Sequence, residues 1–140
     1  MSEPLKQIAA LPIVETPDGP LVLLITTRGR GRWTIPRGWP KPGTADNEMA
    51  AKEAADEAGV DGKIGKNPIG TFTYTKRLHF YSWAKCVVDV YPLYVKTHQL
   101  EWRERGARKV RWTTPEDAAG LIADAELAEL LRSHFHLQAA

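Results

Sequence analysis

The hydrophobic pattern divides the chain into strand-like runs followed by helical periods near its end. Residues 21–27 form an almost continuous apolar run of β-forming residues, which predicts a strand buried on both faces. Residues 5–15 form an earlier strand, in which Pro12 favours an edge or a bend. Residues 16–20 contain Pro-Asp-Gly, which predicts a tight turn between the two.

The remaining pattern predicts further strands and three helices. The strands cover residues 33–36, 64–74 (broken at Pro68), 80–96 and 109–113, with a hairpin tip at residues 76–79. The helices cover an Ala-rich run ending at Gly59, residues 114–122 and residues 124–135. The order β-β-β-α-β-β-β-α-α predicts one domain over residues 1–140, an α/β fold with a mixed sheet between helices.

The Ala-rich helix carries the most informative polar residues. Glu53, Asp56 and Glu57 occur at i, i+3 and i+4, so their carboxylates lie along one helical face. Like charges on one face repel, and a hard divalent cation is the natural partner for an all-oxygen set. Either Thr44 or Asp46 could cap the helix start. The loop before it, residues 37–43, contains two prolines and two glycines, which argue against regular structure there.

Basic residues flank this helix in the sequence. The candidates for binding substrate phosphates are Arg28, Arg30, Arg32, Arg37, Lys41, Lys76 and Arg77. One guanidinium group can donate two hydrogen bonds to a phosphate, so this set suits a small-molecule polyphosphate substrate. Nucleic acid is the weaker alternative ligand. His79 is a further candidate for a phosphate contact. We expect Trp83, Tyr91 and Tyr94, which lie in predicted strands, to pack in the core.

Composition adds limits rather than a function. The net charge of +2 gives no indication of the partner, and the single cysteine, Cys86, lies in an apolar run and excludes an intrachain disulfide. No signal-peptide core and no run long enough for a membrane span is present, so a cytoplasmic protein is the expectation. Oligomeric state is not readable from the sequence.

The stretch from Trp33 to Val60 resembles the Nudix hydrolase signature. That signature is Gly, five residues, Glu, seven residues, then Arg-Glu-apolar-x-Glu-Glu-x-Gly-apolar; Gly38 matches its start and residues 52–60 match its end. The lead Trp-x-x-Pro-Arg-Gly is similar to that of the diadenosine and diphosphoinositol polyphosphate branch. Three positions depart from the pattern: Thr44, Lys52 and Asp56. We expect Glu48 to pair with Lys52, four residues later, as a replacement support.

The resemblance implies a Nudix-type α/β/α sandwich that hydrolyses a diphosphate linkage with Mg²⁺, or alternatively Mn²⁺. It implies metal binding by Glu53, Asp56, Glu57 and the carbonyl group of Gly38, with the three carboxylates as the catalytic residues. The general base stays open between Glu101, Glu104 and others. Because of the three departures, the alternative is a non-catalytic Nudix-like module that binds a nucleotide or a phosphorylated partner.

Overall fold

A computed structural model describes residues 3–138 of the protein. It contains eight strands and three helices in that range. In chain order they are β1 (Leu5–Thr16), β2 (Gly19–Thr26), β3 (Trp33–Thr34), β4 (Arg37–Gly38), α1 (Asp46–Ala58), β5 (Val60–Ile64), β6 (Gly70–His79), β7 (Ser82–His98), β8 (Val110–Thr113), α2 (Pro115–Leu121) and α3 (Ala125–His134).

The strands form one mixed sheet with β1 in its interior. β1 runs parallel to β7 from the Leu5–Cys86 pair to the Ile13–Tyr94 pair, and antiparallel to β2 and β4 on its other side. β2 also pairs with β3 and β8, while β7 also pairs with β5 and β6. The parallel pair joins the first strand to one that begins 77 residues later, which brings the two halves of the chain into one sheet.

Both faces of the sheet are covered by helices. One core lies under α2 and α3, and the other lies under α1. Alternate residues of β1 and β2 enter opposite cores, for example Leu23 on the α1 face and Leu24 on the other. This explains the continuous apolar run in β2 and confirms the predicted α/β/α arrangement.

Helix α1 packs closely on the sheet through small side chains. Ala50, Ala54 and Ala58 are fully buried at intervals of four residues. Gly59 ends the helix at φ 72°, a left-handed conformation that glycine adopts without strain, as predicted. The predicted cap is wrong, because the helix begins after Ala45 with no side-chain cap. The carboxylate of Asp46 instead accepts a hydrogen bond from Lys6 at 2.6 Å.

β1 is an interior strand of the sheet, but at Pro12 it is paired on one side only, by β7, so the expected edge is present locally. The Ala10 N–H donates to the Pro36 carbonyl group, so the nitrogen of Pro12, two residues on, faces the same side. On that side β4 pairs with Ile8 and Ala9, and β2 pairing begins only at Ile13. Pro12 therefore falls between two partner strands, where no ladder hydrogen bond from its nitrogen is required.

The strands after α1 differ from the prediction at several points. β5 begins directly after Gly59. Arg37–Gly38 forms a short strand in the predicted irregular loop, because these two residues lie between Pro36 and Pro40 and keep N–H groups that can pair with β1. The ladder of β6 continues to the His79–Ser82 pair, so the hairpin turns at Phe80 and Tyr81, directly after the predicted tip at residues 76–79.

The predicted burial of strand residues is confirmed in part. Cys86 and Tyr91 are buried. Trp83 and Tyr94 are 60% and 47% exposed, because their side chains project from sheet positions that no helix covers. Within residues 3–138 no helix has the length and hydropathy needed to cross a membrane.

Candidate active site

A polar pocket of about 510 Å³ lies where α1, the loop around β4 and the loop before β8 meet. Strand pairing brings these segments together: β4 lies beside β1, and α1 packs across the same strand. The pocket is lined by carboxylates, cations and a few neutral groups. The principal lining residues are Gln7, Thr27, Arg28, Thr34, Arg37, Gly38, Trp39, Glu53, Glu57, Tyr74, Lys76, Glu104 and Arg108.

Gly38 and Glu53 make a contact that only glycine permits. A Cβ atom at residue 38 would stand 2.7 Å from both carboxylate oxygens of Glu53, closer than side-chain carbons approach other atoms. The absence of a side chain therefore lets the β4 backbone lie directly against the carboxylate. This is a structural reason for the glycine that begins the signature.

Glu57 is a buried carboxyl group, with only 4% of the residue exposed. Burial raises its pKa to about 9, assisted by a hydrogen bond with Glu53, while the positive charge of Arg108 acts in the opposite direction. Its Oε1 atom lies 3.4 Å from the backbone nitrogen of Arg37. Because the ionised form is disfavoured, Glu57 carries a negative charge at neutral pH only when a further cation is close.

Glu104 and Arg108, from the loop before β8, also line the pocket. The guanidinium of Arg108 donates to Glu104 Oε1 at 3.1 Å and to the Thr26 carbonyl oxygen at 3.1 Å, and lies 3.9 Å from Glu57. Glu104 also accepts from Arg28 at 2.9 Å. The sequence prediction named Glu104 only as a candidate base and missed Arg108, since no motif marks an arginine in that loop.

The loop that carries these two residues is attached to the end of α1. The Glu104 N–H donates to the Asp56 carbonyl group at 3.0 Å, and the Gln99 N–H donates to that of Gly59 at 2.8 Å. The Trp102 ring lies against Gly59 so closely that a Cβ there would overlap the indole. The backbone of α1 and the position of Glu104 are therefore coupled.

Asp56 does not join Glu53 and Glu57 in the pocket. Its carboxylate lies 2.6 Å from Lys52 and 3.9 Å from Arg103, on the side of α1 that faces the later loop. The predicted pair of Lys52 with Glu48 is wrong, because Lys52 reaches the following helical turn and bonds to Asp56. Two of the three replaced positions of the signature thus contact each other.

The predicted cations fall into separate groups. Arg28, Arg37 and Lys76 line the pocket. Arg30, Arg32 and Arg77 line a second, adjoining cavity. Lys41 and His79 are exposed and line neither cavity. Glu101, a candidate general base, is also exposed, lines neither cavity and pairs with Arg105.

Two further groups were missed by sequence reasoning. Tyr74 donates a hydrogen bond from its hydroxyl to Gln7, and its ring lies 4.4 Å from the guanidinium carbon of Arg37. Tyr74 on β6 and Gln7 on β1 come together because both strands pair with β7, so local sequence carries no signal for them.

The pocket fits a divalent cation that is also bound by a substrate. Within residues 3–138 no group of three or more His, Cys, Asp or Glu side chains is arranged to hold a metal. Glu53 and Glu57 are nevertheless adjacent and offer only oxygen donors, and Glu57 is buried where a nearby positive charge would favour its ionised form. Mg²⁺ is commonly bound by one or two carboxylates, with substrate phosphates and water as its other ligands.

Comparison with known proteins identifies the family. Residues 5–134 match the family described as NUDIX domain. The chain belongs to the NUDIX family. Among solved structures, the crystal structure of the C. elegans Ap4A hydrolase aligns with a TM-score of 0.68 at 18% identity, covering 96% of this chain and 98% of that one. The predicted Nudix-type fold is confirmed.

The curated relatives of this NUDIX chain carry hydrolase or phosphatase names. Nudix hydrolase 16, mitochondrial, from Arabidopsis thaliana is 34% identical over 101 residues, which are 69% of this chain and 55% of the relative. The bis(5'-nucleosyl)-tetraphosphatase [asymmetrical] of Sus scrofa is 28% identical over 128 residues, 87% of this chain and 82% of the relative. The chain thus spans about half the length of the plant relative.

Proposed function

We propose that this NUDIX protein hydrolyses a diphosphate linkage in a nucleoside polyphosphate, with a diphosphoinositol polyphosphate as the second candidate substrate. The observation that carries the proposal is the pocket in which Glu53 and Glu57 lie under the Gly38 backbone, beside a wall of Arg28, Arg37 and Lys76. Carboxylates for a cation and cations for phosphates therefore open into the same space.

Hydrolysis of the linkage adds water across a P–O–P bridge. The water oxygen bonds to one phosphorus, the bond from that phosphorus to the bridging oxygen breaks, and the bridging oxygen leaves on the other phosphate. The water protons pass to a base and to solvent. When bound by Glu53, Glu57 and the Gly38 carbonyl group, Mg²⁺ or Mn²⁺ would neutralise phosphate charge and acidify the attacking water.

The chain's own residues then have separate roles. Arg28, Arg37 and Lys76 bind and orient phosphate oxygens through charge-assisted hydrogen bonds. Arg108 holds the Glu57 and Glu104 carboxylates in position. We assign the general base to Glu104 because it lines the pocket, whereas Glu101 is exposed and paired with Arg105.

Asp56 receives a different role from the one expected. Its backbone carbonyl accepts the Glu104 N–H and its carboxylate lies near Arg103, so it connects α1 to the loop that carries Glu104. We therefore assign it to positioning rather than to metal binding.

Two observations favour nucleoside or inositol polyphosphates over other diphosphates. The pig relative is named for a bis(5'-nucleosyl) tetraphosphate. The Trp33-x-x-Pro-Arg-Gly lead is similar to that of the diadenosine and diphosphoinositol polyphosphate branch. The sequence expectation for the compartment is the cytoplasm, while the plant relative is named as mitochondrial.

The test is the formation of hydrolysis products, separated by anion-exchange chromatography, from a panel of diadenosine polyphosphates, inositol pyrophosphates, nucleoside triphosphates and ADP-ribose, with Mg²⁺ and with EDTA. We expect turnover of a polyphosphate that requires Mg²⁺ and is lost in Glu57→Gln, with Glu48→Gln, an exposed residue of the same helix, as the control. If no substrate of the panel is hydrolysed and a ligand still binds tightly, the result would instead support the non-catalytic module. Near wild-type turnover by Glu57→Gln would refute the metal site.

A further inference from the structure

A second cavity of about 730 Å³ opens beside the catalytic pocket. The two share four lining residues, which are Thr27, Arg37, Tyr74 and Lys76. A ligand whose reacting phosphate lies against Glu53 and Glu57 can therefore extend into the second cavity without leaving the protein surface.

The second cavity is basic. Arg30 and Arg32 enter it from the loop before β3, and Arg77 enters it from β6, in addition to the shared Arg37 and Lys76. Among the residues that line it, Asp124 is the acidic one, and its carboxylate accepts the N–H groups of Glu126 and Leu127 at the start of α3. The cavity thus has five cationic side chains against one carboxylate, a net positive charge that suits a polyanion.

The outer wall of the cavity is aromatic. Trp83 lines it and is 60% exposed, which is unfavourable for a large apolar side chain without a partner. The guanidinium carbon of Arg77 lies 5.8 Å from the Trp83 ring centre and 5.2 Å from that of Phe80. These cation–π contacts hold Arg77 beside the indole at the cavity wall.

Building on the proposed function, we propose that this cavity binds the distal phosphates and the terminal base of a dinucleoside polyphosphate. Arg30, Arg32 and Arg77 bind phosphates beyond the scissile linkage, and the exposed ring of Trp83 stacks on the base. A planar base has an aromatic face that can stack on indole. An inositol ring has none, so an exposed tryptophan at the end of a basic track favours the nucleotide over the diphosphoinositol substrate.

The first experiment measures how kcat/KM depends on chain length and on Trp83. The substrates are diadenosine diphosphate, diadenosine tetraphosphate and a diphosphoinositol polyphosphate, each with Mg²⁺. For the tetraphosphate we expect Trp83→Ala to lower kcat/KM by at least about fivefold, since base stacking on an aromatic side chain strengthens binding about 5- to 150-fold. The loss for the diphosphoinositol substrate must be smaller. Tyr81→Ala, an exposed aromatic of the same hairpin that does not line the cavity, is the control and should match wild type.

The second experiment removes the outer cation. We expect Arg77→Gln to lower kcat/KM at least about tenfold for the tetraphosphate, the loss expected for one hydrogen bond to a charged group, and to lower the ratio of tetraphosphate to diphosphate turnover. Lys85→Gln removes a cation from the next strand outside the cavity and should leave that ratio unchanged. If Trp83→Ala and Arg77→Gln both behave like their controls, the second cavity is not a substrate site, although the proposed hydrolysis would stand.

A binding measurement separates this inference from the catalytic proposal. The probes are methylene-bridged, non-hydrolysable analogues of diadenosine tetraphosphate and of ADP, titrated by calorimetry. The tetraphosphate analogue should bind wild type more tightly than the ADP analogue, and Trp83→Ala and Arg77→Gln should reduce that difference, whether or not the protein hydrolyses any substrate. Equal affinity for both analogues, or tighter binding of a single-stranded oligonucleotide that Trp83→Ala abolishes, would overturn the inference.

Discussion

The protonation of Glu57 provides the sharpest test of the proposed metal site. When no metal is bound, a proton neutralises this buried carboxylate in place of the cation. In the protein stripped of metal, burial and the adjacent Glu53 raise the pKa of Glu57 from 4.5 to about 9. The folded chain therefore binds more protons than the unfolded chain between these two pH values. The stability from this group is complete below pH 4.5 and is lost as pH rises toward 9.

The size of the effect follows from the pKa difference. Each pH unit inside the window changes the free energy of unfolding by about 1.4 kcal/mol for one group. From pH 6 to pH 8 wild type should therefore lose about 3 kcal/mol relative to a variant whose residue 57 does not titrate. Glu57→Gln is that variant, because it keeps the side-chain length and removes the ionisation.

The assay is urea unfolding in EDTA at pH 6, 7 and 8 for wild type, Glu57→Gln and Glu48→Gln. Differences from wild type cancel the histidines and other groups that titrate in this range. We expect the stability of Glu57→Gln relative to wild type to increase with pH, whereas that of Glu48→Gln should stay constant. A difference for Glu57→Gln that does not change between pH 6 and pH 8 would refute the assignment of a buried, protonated carboxyl.

Metal addition extends the same experiment. Mg²⁺ must displace the proton to bind the ionised carboxylate, so wild type should gain more stability from Mg²⁺ at pH 8 than at pH 6. Glu57→Gln should gain little at either pH. An equal gain in both proteins would locate metal binding elsewhere.

Three further substitutions test the surroundings of the site. Gly38→Ala should lower Mg²⁺-dependent turnover by at least about a hundredfold (roughly 3 kcal/mol), since its Cβ would collide with the Glu53 carboxylate. The control is Gly120→Ala, where a Cβ meets open space and φ is not positive; its turnover should match wild type. Arg108→Met should lower the free energy of unfolding in urea by about 1–3 kcal/mol and should also lower kcat, because Glu104 and the Thr26 carbonyl each lose a hydrogen-bond donor. An unchanged kcat would show that Arg108 has no role in the site. Trp102→Ala should lower kcat and speed amide hydrogen exchange at Glu104 and Gln99, whose N–H groups donate to carbonyl groups at the end of α1. Exchange at the wild-type rate would show that the indole does not hold this loop in place.

The outcome for individual residues shows which features depend on local sequence. The buried strand at residues 19–26, the end of α1 at Gly59 and the caps at Thr114 and Asp124 follow from apolar runs and turn chemistry within a few positions. The spacing of Glu53 and Glu57 similarly fixes their common helical face before any packing is known. These features were predictable because each is decided by neighbours in the chain.

Sequence alone determined that a carboxylate-bearing helix follows a glycine and proline loop, and that cations surround it. Tertiary structure decided which of these groups meet. The parallel pairing of β1 with β7 and the attachment of residues 99–109 to α1 bring Gln7, Tyr74, Glu104 and Arg108 to the pocket from distant positions. The same attachment brings Arg103 near Asp56, whose carboxylate also pairs with Lys52 of its own helix. Such contacts depend on the direction of side chains in the packed sheet, and no local pattern encodes them.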